Sequence, residues 1–306
     1  MVEQPNLILF AQHGWADENK QISKLAQTIA PANTKIIAPN LGWIKTWFKI
    51  EPLIKQVENT AAATIASYPD VPWRIIGHSM GGLIWLEVLN RNQQWWSRVE
   101  SLVLIASPVG GADLARLFDP FAIGIGIAKD LGKNRRIIAQ SIAQKIPTLT
   151  IAGDVDGSGD GTITIESTKF RYATFVCLKN LAHPVMKNHP QVAQAIRNFW
   201  LEPRVNIAPE EDFATTLIES FQQVPGMTDA HKRDFHRSKT YLVFSNGVRI
   251  KRWKNFLQVE HIFIANNKGK YLYGGFVGWL NNKDLYDFLN DLPKKYSHLI
   301  EYLDNS

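Results

Sequence analysis

The chain has 306 residues, 45% of them hydrophobic and 20% charged, with 20 Gly, 15 Pro and one Cys, a composition that excludes disordered, fibrous and disulfide-stapled classes and allows about two domains. The formal charge of +6 is spread along the sequence rather than gathered in a stripe, so it argues for solubility and against a dedicated nucleic-acid binder. The longest stretch without Asp, Glu, Lys or Arg, Gln4 to Ala16, is shorter than the roughly 20 apolar residues a membrane span needs. A start without a basic n-region, together with a lone Cys177, leads to the expectation of a cytoplasmic protein.

Short, nearly continuous apolar runs alternate with helical patterns as far as about residue 200, which predicts a mostly parallel sheet with helices on both faces. The predicted strands are 7–11, 35–38, 73–76, 101–105, 148–151 and 173–178, and the predicted helices are 17–30, 51–67, 80–92 and 189–201. Cys177 falls within the last strand and reads as a small core residue. Residues 108–145 join two strands by far more chain than a simple crossover needs. Past Pro203 the alternation stops. A helix near 210–224 precedes a hairpin, 241–244 and 248–253 across Ser245-Asn246-Gly247, whose Asn-Gly pair is a strong turn signal. A second hairpin runs from 256–265 to 271–279, and Asn281 or Asn282 is placed to cap a final helix. The expected division is therefore a first domain over 1–203, carrying the 108–145 insertion, and a smaller α+β domain with antiparallel hairpins over 204–306.

The chemistry centres on Gly77-His78-Ser79-Met80-Gly81, set between a strand and an apolar-periodic helix. This is G-x-S-x-G, expected by chance about 0.06 times in a chain with 20 Gly and 14 Ser. A nucleophile needs a turn so tight that only small residues fit two positions either side of it, with a helix N-terminus beneath the hydroxyl. A phosphate cradle would also use such glycines, but the P-loop lysine is missing.

On these residues the chain resembles the α/β-hydrolase superfamily, in particular its compact lipase and esterase members, over about residues 6–201. The resemblance implies a nucleophilic serine, an acid and a histidine in that chain order. Ser79 takes the first role. Among Asp154, Asp156 and Asp160, the last fits a lipase-like Asp-Gly-x-aliphatic element as Asp160-Gly161-Thr162-Ile163; Asp156 fits the looser Gly-x-x-Asp pattern and stays open as the alternative acid. His183, after the sixth predicted strand, takes the third role, with His189 as a capping residue of the next helix. The oxyanion hole is expected from the backbone N–H groups of Met80 and of Trp15, the latter in Gln12-His13-Gly14-Trp15, where His13 orients the turn. Ser107-Pro108-Val109-Gly110-Gly111-Ala112 resembles a further lipase-like segment and shifts weight toward acyl chains. The apolar residues that follow, Leu114 to Ile127, read either as a mobile lid or as a fixed cap.

Other features have plainer readings. Asp154, Asp156, Ser158 and Gly159 match early positions of a calcium loop, but Ile165 stands where that loop needs Glu. Trp43, Trp47 and Phe48 among Lys45 and Lys49 suit either buried packing, the first reading, or peripheral contact with anionic lipid. Arg249, Lys251, Arg252 and Lys254 around Trp253 read as a solvated hairpin face, and His231 and His236 have the wrong spacing for a shared metal. The expectation is a serine carboxyl-ester hydrolase acting on acyl or lipid esters through Ser79, His183 and Asp160, with no cofactor and no metal. An acyltransferase or thioesterase with the same residues, or a ligand-binding protein on the same fold, are the alternatives. Residues 204–306 are expected to serve partner docking or self-association.

Overall fold

The computed structural model describes residues 4–111, 127–207 and 212–304. The described chain forms two compact units, the first of residues 4–109, 127–131 and 135–207, the second of residues 110–111, 132–134 and 212–304. In the first, six strands follow one another in the order β2-β1-β3-β4-β5-β6, every neighbouring pair parallel. They are β1 Leu7–Gln12, β2 Thr34–Ile37, β3 Trp73–His78, β4 Val99–Ile105, β5 Thr148–Asp154 and β6 Thr174–Lys179. The four inner strands are almost wholly buried, as their apolar runs require, while β2 and β6, each paired on one side only, are half-buried. Cys177 on β6 is accordingly half-buried rather than a core residue.

Helices α1 Lys20–Ile29 and α6 Pro190–Leu201 cover one face, where Ile22, Leu25, Val192 and Ile196 pack on Leu9, Val103 and Ile151. Helices α2 Ile50–Ser67, α3 Met80–Arg91 and α5 Arg136–Ala143 lie on the other, where Phe10 meets Trp73 and Trp85 at ring separations of 5.1 and 4.9 Å. One short helix, α4 Ile127–Gly132, lies within the long insertion. The apolar residues from Leu114 to Ile125 to which the lid or cap reading applies lie outside the described residues.

The second unit carries an antiparallel sheet of order β12-β8-β9-β10-β11-β7: β7 Thr228–Asp229, β8 Lys239–Phe244, β9 Arg249–Lys254, β10 Glu260–Ala265, β11 Tyr271–Phe276 and β12 Ile300–Leu303. Leu217 and Phe221 of α7 (Phe213–Gln222), with Leu285 and Leu289 of α8 (Asn282–Lys295), pack against Phe244, Ile250 and Ile262. Gly247 closes the first hairpin at φ +79°, a conformation that favours glycine. The second hairpin starts four residues later than its apolar pattern suggests, because the Asn255 side chain accepts from the N–H groups of Leu257 and Val259 and curls the chain into a turn. Asn281 precedes α8 but its amide donates to Asp284 rather than capping a helix N–H. On the basic hairpin, Arg252 is held by both oxygens of buried Glu260, at 3.1 and 3.2 Å, and Lys251 lies over the Phe235 ring. Two pieces of the 108–145 segment belong to this unit: Thr228 Oγ1 donates to Gly132 O at 3.0 Å, Asn134 Nδ2 to Gln222 O at 2.8 Å, and Asp229 N–H to Gly110 O at 3.3 Å.

Within the first unit, the Arg135 guanidinium, almost fully buried, donates to Glu87 of α3 at 2.8 Å and to Asp130 O at 2.7 Å. Burial lowers its pKa, opposed by the Glu87 charge. Removing one member of a buried pair leaves the other charge without compensation, so Glu87→Ala is expected to lose about 3–5 kcal/mol of stability in urea unfolding.

Candidate functional site

In an open parallel sheet, the loops that follow the strands all leave at one end, and there lie Ser79 after β3, Asp160 after β5 and His183 after β6. β3 turns into α3 through Ser79, whose φ of 54° and ψ of −123° lie where non-glycine residues rarely go. The turn is possible because its flanks have no side chains. A Cβ on Gly77 would sit 2.6 Å from the Gly82 backbone, and one on Gly81 would sit 2.4 Å from Gln12 O and 2.6 Å from His13 O. The elbow is thereby wedged against the end of β1. Ser79 N–H donates to Ile105 O on the next strand at 2.8 Å, which holds the residue by its backbone and leaves the partly exposed hydroxyl at the α3 N-terminus. Among the described residues that hydroxyl has no hydrogen-bond partner.

The loop after β5 sorts its three aspartates by geometry. Asp160, 2% exposed, accepts from the N–H groups of Thr162 and Ile163 with one oxygen, at 2.9 and 2.7 Å. Its other oxygen is 2.7 Å from His183 Nδ1. The same two residues meet through the backbone, His183 N–H donating to Asp160 O at 2.9 Å. Ile163 is buried beneath the loop. Asp156, by contrast, is exposed and accepts from the N–H groups of Ser158 and Gly159 at 2.8 and 3.2 Å. Asp154 binds the Lys179 ammonium, whose hydrogen bond holds this carboxyl below the usual aspartate range. The loop's resemblance to a calcium site is thus taken up by a lysine and backbone amides, and among the described residues no group of three or more His, Cys, Asp or Glu side chains could hold a metal ion.

Two buried histidines that do not face a carboxylate shape the site. His13 Nε2 accepts from Leu41 N–H at 3.0 Å, so its proton sits on Nδ1, which is 3.0 Å from Gly14 O. This locks the turn after β1, and a Cβ on Gly14 would come within 2.9 Å of Ser79 Cβ, which places Gly14 and the neighbouring Trp15 amide beside the elbow. The N–H of Met80, at the first position of α3, belongs to the helix-end donors that lack an intrahelical partner. His78 occupies an x position of the glycine motif, to which the sequence pattern assigns no role. In the structure its Nε2 donates to His183 O at 3.2 Å and the two rings lie 4.8 Å apart, tying the residue next to Ser79 to the histidine after β6. No periodicity reveals such a link, since only the fold brings residues 78 and 183 together.

Thr46 Oγ1 accepts from Ala16 N–H at 3.0 Å and donates to Trp43 O at 2.6 Å. With Thr46 turned inward, Trp47 is half-buried against Trp15 at 4.4 Å between rings, whereas Trp43 and Phe48 face outward. Buried packing therefore holds for Trp47 and fails for the other two. His189 caps α6, accepting from Gln191 N–H, and burial raises the pKa of the Cys177 thiol.

No family model and no curated protein matches the chain. Among solved structures, the propeptide form of the Bacillus licheniformis lipase BlEst2 is 13% identical with a TM-score of 0.50, over 90% of this chain and 68% of that one. Its mature form is 14% identical, TM-score 0.48, over 66% and 93%. Est1E from Butyrivibrio proteoclasticus with ferulic acid bound is 15% identical, TM-score 0.46, over 66% and 91%.

Burial lowers the pKa of His13 and lowers that of His78 well below the ordinary 6.5, the latter helped by the nearby His183. In the unfolded chain both would bind a proton as pH falls through about 6.5 while the folded state does not. Stability is therefore complete above that pH and declines below it. Urea unfolding should show a lower free energy at pH 5.5 than at pH 7.5, and His78→Gln should show a shallower decline.

Proposed function

We propose that this chain, an α/β-hydrolase by fold, is a serine carboxyl-ester hydrolase whose working groups are Ser79, His183 and Asp160. The observation that carries the reading is the conjunction of a serine at a positive-φ strand–helix elbow with a histidine whose Nδ1 lies 2.7 Å from a buried, doubly amide-bound carboxylate. A carboxylate so held cannot rotate away. It fixes the imidazole with its proton on Nδ1, which leaves Nε2 to act as the base. An ester carbonyl seated on the elbow aligns serine and imidazole in the manner of catalytic hydrogen bonds that tighten only with substrate.

In this mechanism Ser79 Oγ attacks the acyl carbonyl while His183 Nε2 takes its proton. The oxyanion that forms is stabilised by the N–H groups of Met80 and Trp15, each such donor being worth about 2.7–4 kcal/mol in the transition state. His183 then protonates the leaving alcohol, and water attacks the acyl-enzyme with the same histidine as base. No cofactor takes part. The substrate class is acyl esters, lipid esters among them, on the strength of the apolar sequence around the site and the lipase-like Ser107-Pro108 segment.

Fluorophosphonate labelling followed by ester kinetics tests this directly. Wild type should label and hydrolyse p-nitrophenyl esters, and Ser79→Ala should do neither. Asp160→Asn should lose at least about 10³-fold in kcat, as expected for a mis-oriented imidazole, while Asp156→Asn stays near wild type. A folded wild type that neither labels nor turns over would overturn the assignment, and a loss confined to Asp156→Asn would overturn the choice of acid.

A further inference from the structure

The segment after β2 carries a cluster of large apolar side chains in water. Trp43 is 48% exposed, Ile44 68% and Phe48 65%, three such residues within six positions. Scattered exposed apolar residues are ordinary, whereas a contiguous group marks a surface that something covers. Lys45 and Lys49 are exposed between and beside them and make no ion pair among the described residues. The acids that adjoin the segment are engaged: Asp17 binds Lys187 at 2.8 Å, Glu51 binds Arg91 at 2.7 Å, and Asp130, set against the start of α2, accepts from Ile50 N–H at 3.0 Å. Two further exposed apolar residues, Val155 after β5 and Val185 after β6, rise from loops at the same end of the sheet as this segment.

We infer that the Trp43–Lys49 segment docks the first unit on an anionic lipid surface. The charge pattern selects this occupant. Indole and phenyl rings favour the boundary between headgroups and acyl chains, and lysines beside them reach out to anionic headgroups while their stems lie along apolar neighbours. A wholly apolar protein interface would leave Lys45 and Lys49 buried without partners. The segment is also rigid enough to act as a foot: Thr46 Oγ1 links Trp43 O to Ala16 N–H, and Trp43, Trp47 and Trp15 lie ring to ring at 5.3 and 4.4 Å. Because all loops after parallel strands leave at one end, a membrane met by this foot faces the end that carries Ser79. Binding does not depend on the hydrolase reading, although the two together make membrane-borne esters the substrate.

Co-sedimentation of the full chain with large unilamellar vesicles tests the inference. Wild type should partition onto phosphatidylcholine vesicles containing phosphatidylglycerol more than onto phosphatidylcholine alone, with the preference shrinking as salt rises. Ile44→Ser/Phe48→Ser should weaken partitioning by about tenfold or more through lost apolar contact. Lys45→Glu/Lys49→Glu should abolish the preference for the anionic vesicles. Ser79→Ala should bind as wild type does, so a chain that binds vesicles but hydrolyses nothing refutes the catalytic reading alone. Vesicle binding unchanged in both double variants would overturn the inference, as would no vesicle binding at all. Self-association of wild type in sedimentation velocity that Ile44→Ser/Phe48→Ser removes, without vesicle binding, would instead assign the patch to contact between copies of the chain.

Discussion

Between β3 and α3 there is no room for a side chain, and much of the first unit is arranged around that shortage. The Gly77 backbone lies against Gly82, and Gly81 lies against the last carbonyls of β1, so the helix begins at the sheet surface instead of a loop's length above it. This contact forces Ser79 into its positive φ, a conformation that costs on the order of 1–3 kcal/mol. Neighbouring strands make the strain tolerable: Ser79 N–H is held by β4, and α3 is buried along nearly its whole length. The close approach is also why the turn after β1 lies within touching distance of Ser79 Cβ.

Around this elbow the polar groups follow a consistent division. The carboxylate that meets an imidazole is saturated by backbone amides, and the histidines that meet only carbonyls and amides are kept neutral by burial. A second protonated imidazole beside His183 would oppose charge there. His78, kept neutral, instead donates to the His183 carbonyl and adds position without adding charge. The same economy of charge appears at Glu87 and Arg135, where a buried pair joins α3 to the chain beyond α4.

Much of this was legible in the residues. Six strands and four of the helices that cover them follow from apolar runs and 3.6-residue periodicity, because a doubly covered parallel sheet writes its burial into the sequence. Edge strands blur the signal: β6 reads as apolar as β5, yet nothing in its own residues says that one of its sides is unpaired. The glycine motif was visible because close backbone approach demands residues without side chains at fixed spacing, whereas the Asp160-Gly161-Thr162-Ile163 element stood out only through its resemblance to a lipase-like pattern. Contacts between distant segments were not visible. The His78–His183 link, the inward turn of Thr46 that sends Trp43 and Phe48 outward, and the Asn255 side chain that delays β10 each depend on where a side chain points rather than on composition.

The division of the chain into its two units carries a consequence for how the protein can be taken apart. The boundary suggested by composition, near residue 203, lies on only one of the connections between them, because residues 110–111 and 132–134 are hydrogen-bonded into the second unit by Thr228, Asp229 and Gln222. The second unit is threaded rather than appended. Cutting the chain after residue 203 would therefore strip partners from backbone carbonyls lodged more than 70 positions upstream, and a gene fragment encoding 204–306 alone would lack the pieces against which its own edge strand β7 is anchored. Such a unit is not a portable module: it could be neither acquired nor lost by a single terminal fusion without remodelling the middle of its host.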